Sequence, residues 1–194
     1  MAEPDPHFPP RPTALAHALT ARALAPGDLA VDATCGNGHD TLHLARHVGA
    51  GGTVVAIDIQ AAALDETRRR LESEGMDDGR VRLVRDCHSA MGGHVSAGAA
   101  AVVVFNLGYL PGGDHAVTTR AETTPAALDA AAVALRPGGL LAVTCYPGHA
   151  EGAREADAVA AWLEAAAGRG AGVARYGRPF TRRPAPVLWL AALP

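Results

Sequence analysis

The chain has 194 residues, a formal net charge of −3 and 48% hydrophobic residues, which is typical of one globular domain. All 17 basic residues are arginines, so Schiff-base catalysis and a lysine-dependent phosphate loop are excluded. The small negative charge provides no general attraction to nucleic acid, and an RNA substrate would require a local arginine patch. No apolar run approaches the roughly 20 residues that span a bilayer.

The N-terminal stretch and the cysteines carry little chemistry. Residues 1–12 contain five prolines and no apolar core of a signal peptide, so we expect a mobile segment there, one domain over residues 13–194 and a cytoplasmic location. Cys35, Cys87 and Cys145 are far apart, with no Cys-x-x-Cys pair. Neither a zinc ribbon nor a disulfide framework is therefore predicted.

Hydrophobic runs alternate with longer amphipathic stretches. In chain order we predict a helix over 13–24, a strand over 29–33, a helix over 39–48, a strand over 53–57, a helix over 61–74, strands over 81–84 and 99–105, a helix over 125–135, a strand over 140–144, a helix over 151–167, and strands over 172–176 and 187–193. Strands that are apolar throughout and separated by helices indicate a parallel sheet covered on both faces. The short final connection favours an antiparallel hairpin at one edge. The predicted fold is α/β, with a mostly parallel seven-stranded sheet.

A glycine-rich loop between the first strand and the second helix indicates a ligand site. Ligands of open parallel sheets bind outside the carboxyl ends of the strands, and Gly36 and Gly38 let the backbone approach a ligand closely. A dinucleotide would fit so far, but Thr41 stands where its pattern needs a third small residue. The Asp32 carboxylate would also repel a pyrophosphate. It suits a ligand with an ammonium and a sulfonium, such as S-adenosylmethionine.

Acidic residues follow the next two strands as well. Asp58 ends the second strand, at the position from which an acid bonds ribose hydroxyls in such folds. Asp86 follows the third strand, from which a side chain can reach an adenine amino group. Each residue taken alone could be a turn-forming aspartate. Together with the glycine loop, the three acids favour a cofactor site.

The fourth and fifth strands end in candidate catalytic residues. Residues 106–114 read Asn-Leu-Gly-Tyr-Leu-Pro-Gly-Gly-Asp, which resembles the Asn/Asp-Pro-Pro-Tyr motif of amino-methylating enzymes. The Asn106 amide could hold a neutral target amine, and Tyr109 could stack on a flat substrate ring. The alternative is a Gly/Pro turn with a buried tyrosine. His149, after the fifth strand, could take a proton or could equally be structural or solvated.

Two further groups of side chains are weaker candidates. The four-residue spacing of His39, His43 and His47 puts these side chains on one side of a helix, but no acidic or cysteine partner accompanies them, and we predict no metal site. The C-terminal hairpin contains arginines that could contact RNA, at positions Arg178, Arg182 and Arg183.

Four segments carry a family resemblance, namely residues 33–41, 58–60, 105–114 and 122–124. Across about residues 13–193 the chain resembles the rRNA-methylase family of small bacterial methyltransferases, whose members are assigned to methylating 5-aminomethyl-2-thiouridine at the tRNA wobble position. The resemblance implies a Rossmann-like class I methyltransferase fold, S-adenosylmethionine as donor, a homodimer and tRNA as substrate.

The loop and the resemblance together give a predicted set of site residues. The predicted cofactor-binding residues are Asp32, Cys35, Gly36, Asn37, Gly38, Asp40, Asp58, Ile59, Gln60, Asp86, Cys87, His88, Asn106 and Gly108. The predicted catalytic residues are Asn106, Tyr109 and His149.

The chain departs from the family in two places. The family has Tyr-His-Gly-His where this chain has Pro147 in second position, and an Asn-rich segment where this chain has residues 181–186. The first departure weakens any proton-relay role at position 147, and the second bears on substrate identity more than on fold or cofactor. The leading hypothesis is N-methylation of a modified wobble uridine. The alternatives are a small-molecule methyltransferase, a nicotinamide oxidoreductase and a non-catalytic cofactor-binding protein.

Overall fold

A computed structural model describes residues 9–110, 112, 118–182 and 184–194. In these ranges the helices are α1 (Pro12–Ala23), α2 (His39–Val48), α3 (Ala61–Ser73), α4 (Thr124–Ala134) and α5 (Ala150–Gly168), with one 3-10 helix over His88–Gly93. The strands are β1 (Leu29–Asp32), β2 (Thr53–Asp58), β3 (Val81–Arg85), β4 (Ala100–Leu107), β5 (Leu135–Cys145), β6 (Gly172–Gly177) and β7 (Val187–Ala192). None of these helices is long and apolar enough to cross a membrane.

The seven strands form one sheet in the order β3-β2-β1-β4-β5-β7-β6. Strands β1 to β5 run parallel to one another, while β7 runs antiparallel to both β5 and β6. The prediction of a mostly parallel sheet with an antiparallel C-terminal hairpin is therefore confirmed. Because parallel strands end together, the carboxyl ends of β1 to β5 share one edge of the sheet.

The core lies on both faces of the sheet. Alternate residues of a strand point to opposite faces, so Val31 packs toward α4 and α5 while Ala30 packs toward α1 and α2. Both are fully buried. This two-sided burial is the reason why the central strands are apolar at nearly every position. The rigid sheet fixes where each strand ends and hence where the loops of the site begin.

Two local features differ from the sequence prediction. The 3-10 helix over His88–Gly93 was not predicted, and its Met91 is fully buried in the core. Strand β5 begins at Leu135, because the Arg-Pro-Gly-Gly segment, predicted to separate helix from strand, forms an irregularity within the strand, with Gly138 at φ +74°. Of the predicted N-terminal segment, residues 1–8 lie outside the described ranges, and the Pro10 carbonyl accepts from the Tyr176 hydroxyl at 2.6 Å.

Candidate active site

A cavity of about 950 Å³ opens at the carboxyl edge of the sheet. The ends of β1 to β5 and the β6–β7 connection contribute its walls. Among the predicted site residues, those that line it are Gly36, Asp58, Ile59, Gln60, Asp86, Cys87, His88, Asn106, Gly108, Tyr109 and His149. The predicted residues Asp32, Cys35, Asn37, Gly38 and Asp40 do not line it. The cavity is large enough for a cofactor and part of a second substrate.

The glycine loop is held by Asp58 and by α3. Asp58 accepts from the Gly36 N–H at 3.0 Å and from the Gln60 N–H at 2.9 Å. Gly38 has φ +76°, and a Cβ there would lie 2.8 Å from the Thr67 Cα. Both facts require glycine at position 38. Partial burial raises the pKa of Asp58, while its backbone hydrogen bonds act in the opposite direction.

Asp32 lies beneath the loop, fully buried. Its carboxylate accepts from the Thr41 hydroxyl at 2.6 Å and from the Thr34 N–H at 3.3 Å. Burial, together with repulsion from the Asp40 carboxylate, raises the pKa of Asp32 to about 7. Thr41, which departs from the dinucleotide pattern, is therefore the hydrogen-bond partner that this buried carboxyl group needs. The geometry makes Asp32 a support of the loop, one layer away from the cavity wall.

The side chains after β3 form the next part of the wall. Asp86 accepts from the Cys87 N–H at 2.7 Å and pairs with His94 Nε2 at 2.8 Å. The His94 hydrogen bond lowers the pKa of Asp86, so a carboxylate faces this region. Burial lowers the pKa of His88 to about 4, which leaves this imidazole neutral. Its Nε2 lies 3.4 Å from the Thr123 hydroxyl.

Asn106, at the end of β4, is held in one orientation. Its N–H donates to the Thr34 hydroxyl at 2.7 Å, and its side-chain Nδ2 donates to the Asp40 carboxylate. Because a carboxylate only accepts, the amide nitrogen must face Asp40. The amide oxygen then lies on the other side, 3.5 Å from the Tyr146 hydroxyl. Asp40 itself contacts His17 Nε2 at 2.5 Å, so a polar chain runs from α1 to Asn106.

Tyr109 and His149 face each other across the cavity, with ring centroids 5.7 Å apart. Tyr109 is 40% exposed, so the alternative of a buried tyrosine in this turn is wrong. His149 Nδ1 accepts from the Gly152 N–H at 3.0 Å and caps α5. Its Nε2 is buried and has no hydrogen-bond partner among the described residues. Because Nδ1 accepts, the neutral imidazole carries its hydrogen on Nε2, which can donate to a bound substrate but cannot take a proton.

Residues 118–124 are anchored on α5. Thr118 forms an isolated β-bridge with Tyr109. Of the predicted motif, residues 111, 113 and 114 lie outside the described ranges, as do residues 115–117. Glu155 is buried and accepts from the hydroxyls of Thr119 at 2.7 Å and Thr124 at 2.5 Å. Sequence reasoning missed Glu155. The sequence pattern that could have indicated its burial is the four-residue spacing that puts this acid on the same helical face as the apolar residues Val159 and Leu163.

The histidine spacing on α2 produces a stacked group. His17 of α1 stacks on His43 at a centroid distance of 4.0 Å, and His43 stacks at a tilt on His47 at 4.4 Å. Burial lowers the pKa of His43 to about 4. Among the described residues there is no group of three or more side chains that could hold a metal ion. We assign the stack to the packing of α1 on α2.

The strand order, the antiparallel β7 and the acids at the strand ends define the class I S-adenosylmethionine-dependent methyltransferases. The sequence model of the family described as "Putative rRNA methylase" matches residues 54–192. The chain belongs to this family. Membership confirms the resemblance inferred from the sequence and sets aside the oxidoreductase alternative.

Similar proteins agree with this assignment. A protein of Arabidopsis thaliana named "tRNA (mnm(5)s(2)U34)-methyltransferase, chloroplastic" is 41% identical over 158 residues, which is 77% of this chain and 58% of the plant protein. The chain thus matches little more than half the length of that relative. A "putative rRNA-methylase" from Clostridium thermocellum has 35% identity and a TM-score of 0.91, covering 96% of this chain and 99% of its own.

A second solved structure was determined with a product-like ligand. It is a "putative methyltransferase" from Streptococcus mutans in complex with SAH. Its identity is 31% and its TM-score is 0.85, over 96% of this chain and 99% of that chain. The fold, from α1 to β7, is therefore shared with proteins of nearly the same length.

Proposed function

We propose that this protein transfers a methyl group from S-adenosylmethionine to the aminomethyl nitrogen of 5-aminomethyl-2-thiouridine, or its 2-oxo counterpart, at the tRNA wobble position. The observation that carries the proposal is the fixed Asn106 amide at the cavity wall, whose oxygen accepts a long hydrogen bond from the Tyr146 hydroxyl at 3.5 Å and has a second lone pair for another donor. The name of the Arabidopsis relative supports the substrate, and the SAH in the Streptococcus mutans structure supports the donor.

The residues around the cavity fit S-adenosylmethionine. Asp58, at the end of β2, would accept from the ribose hydroxyls, and Asp86 would accept from the adenine amino group. Ile59 is 50% exposed on the cavity wall and would be covered by the adenine ring. These acids would repel the pyrophosphate of a dinucleotide. When bound, S-adenosylmethionine supplies an electrophilic methyl group.

The acceptor amine has to be neutral, because an ammonium has no lone pair. The Asn106 oxygen can accept one N–H of that amine, which fixes the direction of the lone pair. Tyr109 can stack on the uracil ring. Positioning of this kind contributes several kcal/mol to a transfer step. Transfer would form a new N–C bond as the S–C bond to the methyl group of the donor breaks, which leaves S-adenosylhomocysteine and releases one proton to solvent. His149, whose Nδ1 accepts from the Gly152 N–H, would carry its hydrogen on Nε2 and could donate it to the substrate in a hydrogen bond.

For the residues behind the wall, the contacts suggest indirect roles. The loop residues Cys35, Asn37 and Gly38 would shape the backbone around the methionine part of the donor. Asp32 would hold that loop through Thr41. We propose that Asp40 acts through Asn106, since its oxygens already contact Asn106 and His17.

Two experiments test the proposal. The first is mass spectrometry of wobble nucleosides from a deletion strain, which should accumulate the unmethylated aminomethyl nucleoside. The second measures Asn106→Ala with labelled donor and undermodified tRNA. Turnover should fall about 100-fold, since a hydrogen bond at the reacting group is worth several kcal/mol, while the Kd for S-adenosylhomocysteine stays near that of the wild type. Unchanged nucleosides, or unchanged turnover, would contradict the proposal.

A small amine is the second candidate acceptor. Among the residues that the structure describes, the cavity wall carries Asp58, Asp86 and Glu151 and one arginine, Arg120, and the net charge of the chain is −3. A cationic small substrate would fit these charges. Labelled-donor assays that compare undermodified tRNA with a panel of free amines separate the two functions.

The assembly and location of the protein are further expectations from the resemblance. We propose a single domain over residues 13–194 that forms a homodimer in the cytoplasm. Helix α1 supports this domain boundary, because Leu15 and Ala16 pack against the buried core on one face of the sheet. Sedimentation velocity of the purified protein measures the oligomeric state directly, and a monomer at micromolar concentration would refute the dimer.

A further inference from the structure

The connection between β6 and β7 lies at the same edge of the sheet as the cavity. Gly177 pairs with Val187, and Val187 pairs with Cys145 at the carboxyl end of β5. The connecting residues therefore leave and re-enter the sheet beside the active site. Pro184 and Pro186, on the returning half, line the cavity. The exposed side chains of residues 178–182 therefore lie near the mouth of the cavity.

Phe180 lies in this connection, three residues after the end of β6, and is 98% exposed. A single exposed apolar residue is ordinary on a protein surface, so exposure alone decides nothing. Here, however, the ring stands between two exposed arginines, Arg178 and Arg182. The outgoing half is tied down, since Arg178 donates to the Pro9 carbonyl at 3.3 Å. Prolines at positions 179, 184 and 186 restrict the backbone further.

Acidic and basic side chains occupy different parts of this region. Asp58 and Asp86 lie at the strand ends, where they would repel phosphate, and Glu151 accepts from the Ala121 N–H at 3.1 Å. Arg120 is exposed on the cavity wall, and Arg182 is exposed on the β6–β7 connection. A nucleotide would be attracted with its base toward the strand ends and its phosphates at the rim. Together, an exposed aromatic ring and flanking guanidinium groups form the arrangement that binds single-stranded nucleic acid.

Resting on the proposed function, we propose that residues 178–182 are the RNA-docking surface of this enzyme. Phe180 stacks on the base next to the methylated nucleotide, and Arg182 contacts the adjoining phosphate. The target nucleotide is thereby held out of the anticodon stack and directed into the cavity. A local surface of this kind also explains how a protein with a net charge of −3 binds a polyanion.

The test uses the full chain and an anticodon stem-loop RNA that carries 5-aminomethyl-2-thiouridine. Phe180→Ala should raise the Kd for this RNA about 10-fold or more, while Phe180→Trp, which keeps a stacking ring, should stay within about 2-fold of the wild type. Val133→Ala is the matched control. Val133 is 62% exposed, but it lies near the end of α4 that leads into the amino end of β5, on the opposite edge of the sheet.

Two further readouts separate docking from a structural effect. The Kd for S-adenosylhomocysteine and the rate on the free modified nucleoside should be unchanged in Phe180→Ala. Arg182→Gln should reduce the salt dependence of RNA binding by about one phosphate contact. An RNA affinity that is unchanged in Phe180→Ala would overturn this inference, as would a loss of dimer without a loss of RNA affinity. A wild-type protein that neither binds nor methylates the RNA would instead refute the proposed function itself.

Discussion

Replacing Asp40 by alanine removes the carboxylate that accepts from the Asn106 amide. The Asn106 side chain can then rotate, and its oxygen and nitrogen exchange places at little cost. Asp40 is also the second residue of α2, so the change removes a favourable charge from the start of the helix, which costs about 0.3–1 kcal/mol of stability. The backbone of Asn106 stays in place, because its N–H still donates to Thr34.

The expected effect on turnover follows from the strength of that hydrogen bond. Hydrogen bonds to charged groups contribute about 1.5–3 kcal/mol, and each 1.36 kcal/mol corresponds to tenfold in rate. Asp40→Ala should therefore lower kcat about 10- to 150-fold. Asp40→Asn keeps an acceptor oxygen toward Asn106 and should lose much less. His17→Phe, which removes the other partner of Asp40, should lie between the wild type and Asp40→Ala.

The assay measures kcat and KM for both substrates with labelled donor, beside calorimetric titration with S-adenosylhomocysteine. A positioning role predicts a loss in kcat with little change in the Kd for S-adenosylhomocysteine. The family resemblance implies instead that Asp40 contacts the cofactor, in which case the Kd would rise in parallel with the loss of activity. That outcome, or a kcat within twofold of the wild type, would refute the positioning argument.

Two stability predictions follow from the residues under the loop. Gly38→Ala puts a Cβ on a left-handed backbone and close to Thr67, so its free energy of unfolding in urea should fall by about 2 kcal/mol or more. Gly79→Ala, with φ +90° and open space around it, should lose only about 1 kcal/mol. Equal losses in the two variants would show that the contact with Thr67 is unimportant. Burial raises the pKa of Asp32 to about 7, so the folded protein holds a proton that the unfolded chain releases near pH 4. The free energy of unfolding of the wild type should therefore fall as the pH rises from about 4 through 7, by at most about 4 kcal/mol. Asp32→Asn removes this titrating group and should flatten the profile between about pH 4 and 7, while its amide can still pair with Thr41 and Thr34. An unchanged slope would assign the pH dependence elsewhere.

The sequence pattern determines most of the secondary structure of this protein, for a physical reason. Strands buried on both faces are apolar at nearly every position, and the Gly/Pro breaks mark where they end. The 3-10 helix over His88–Gly93 escapes such reasoning, because six residues contain too few turns for a period to show. The irregular start of β5 escapes it as well, since Arg136 to Gly139 has the composition of a turn and lies within the strand only because Leu135 and Leu140 on either side pair with β4.

For the site, the sequence alone places Asp58, Asp86 and Asn106 at one edge, because parallel strands end together. It cannot decide which atoms these side chains face. Asn106 is oriented by Asp40, 66 residues away, and Thr119 is held by Glu155, 36 residues away.

Asp32 illustrates the same limit at shorter range. Its position at the end of β1 is readable from the chain, but its burial beneath the loop depends on how α2 returns Thr41 to it. That the connection carrying Phe180 lies at the carboxyl edge of the sheet depends likewise on the pairing of β6, β7 and β5. Local periodicity determines the elements, whereas depth, orientation and partner arise only when distant segments pack together.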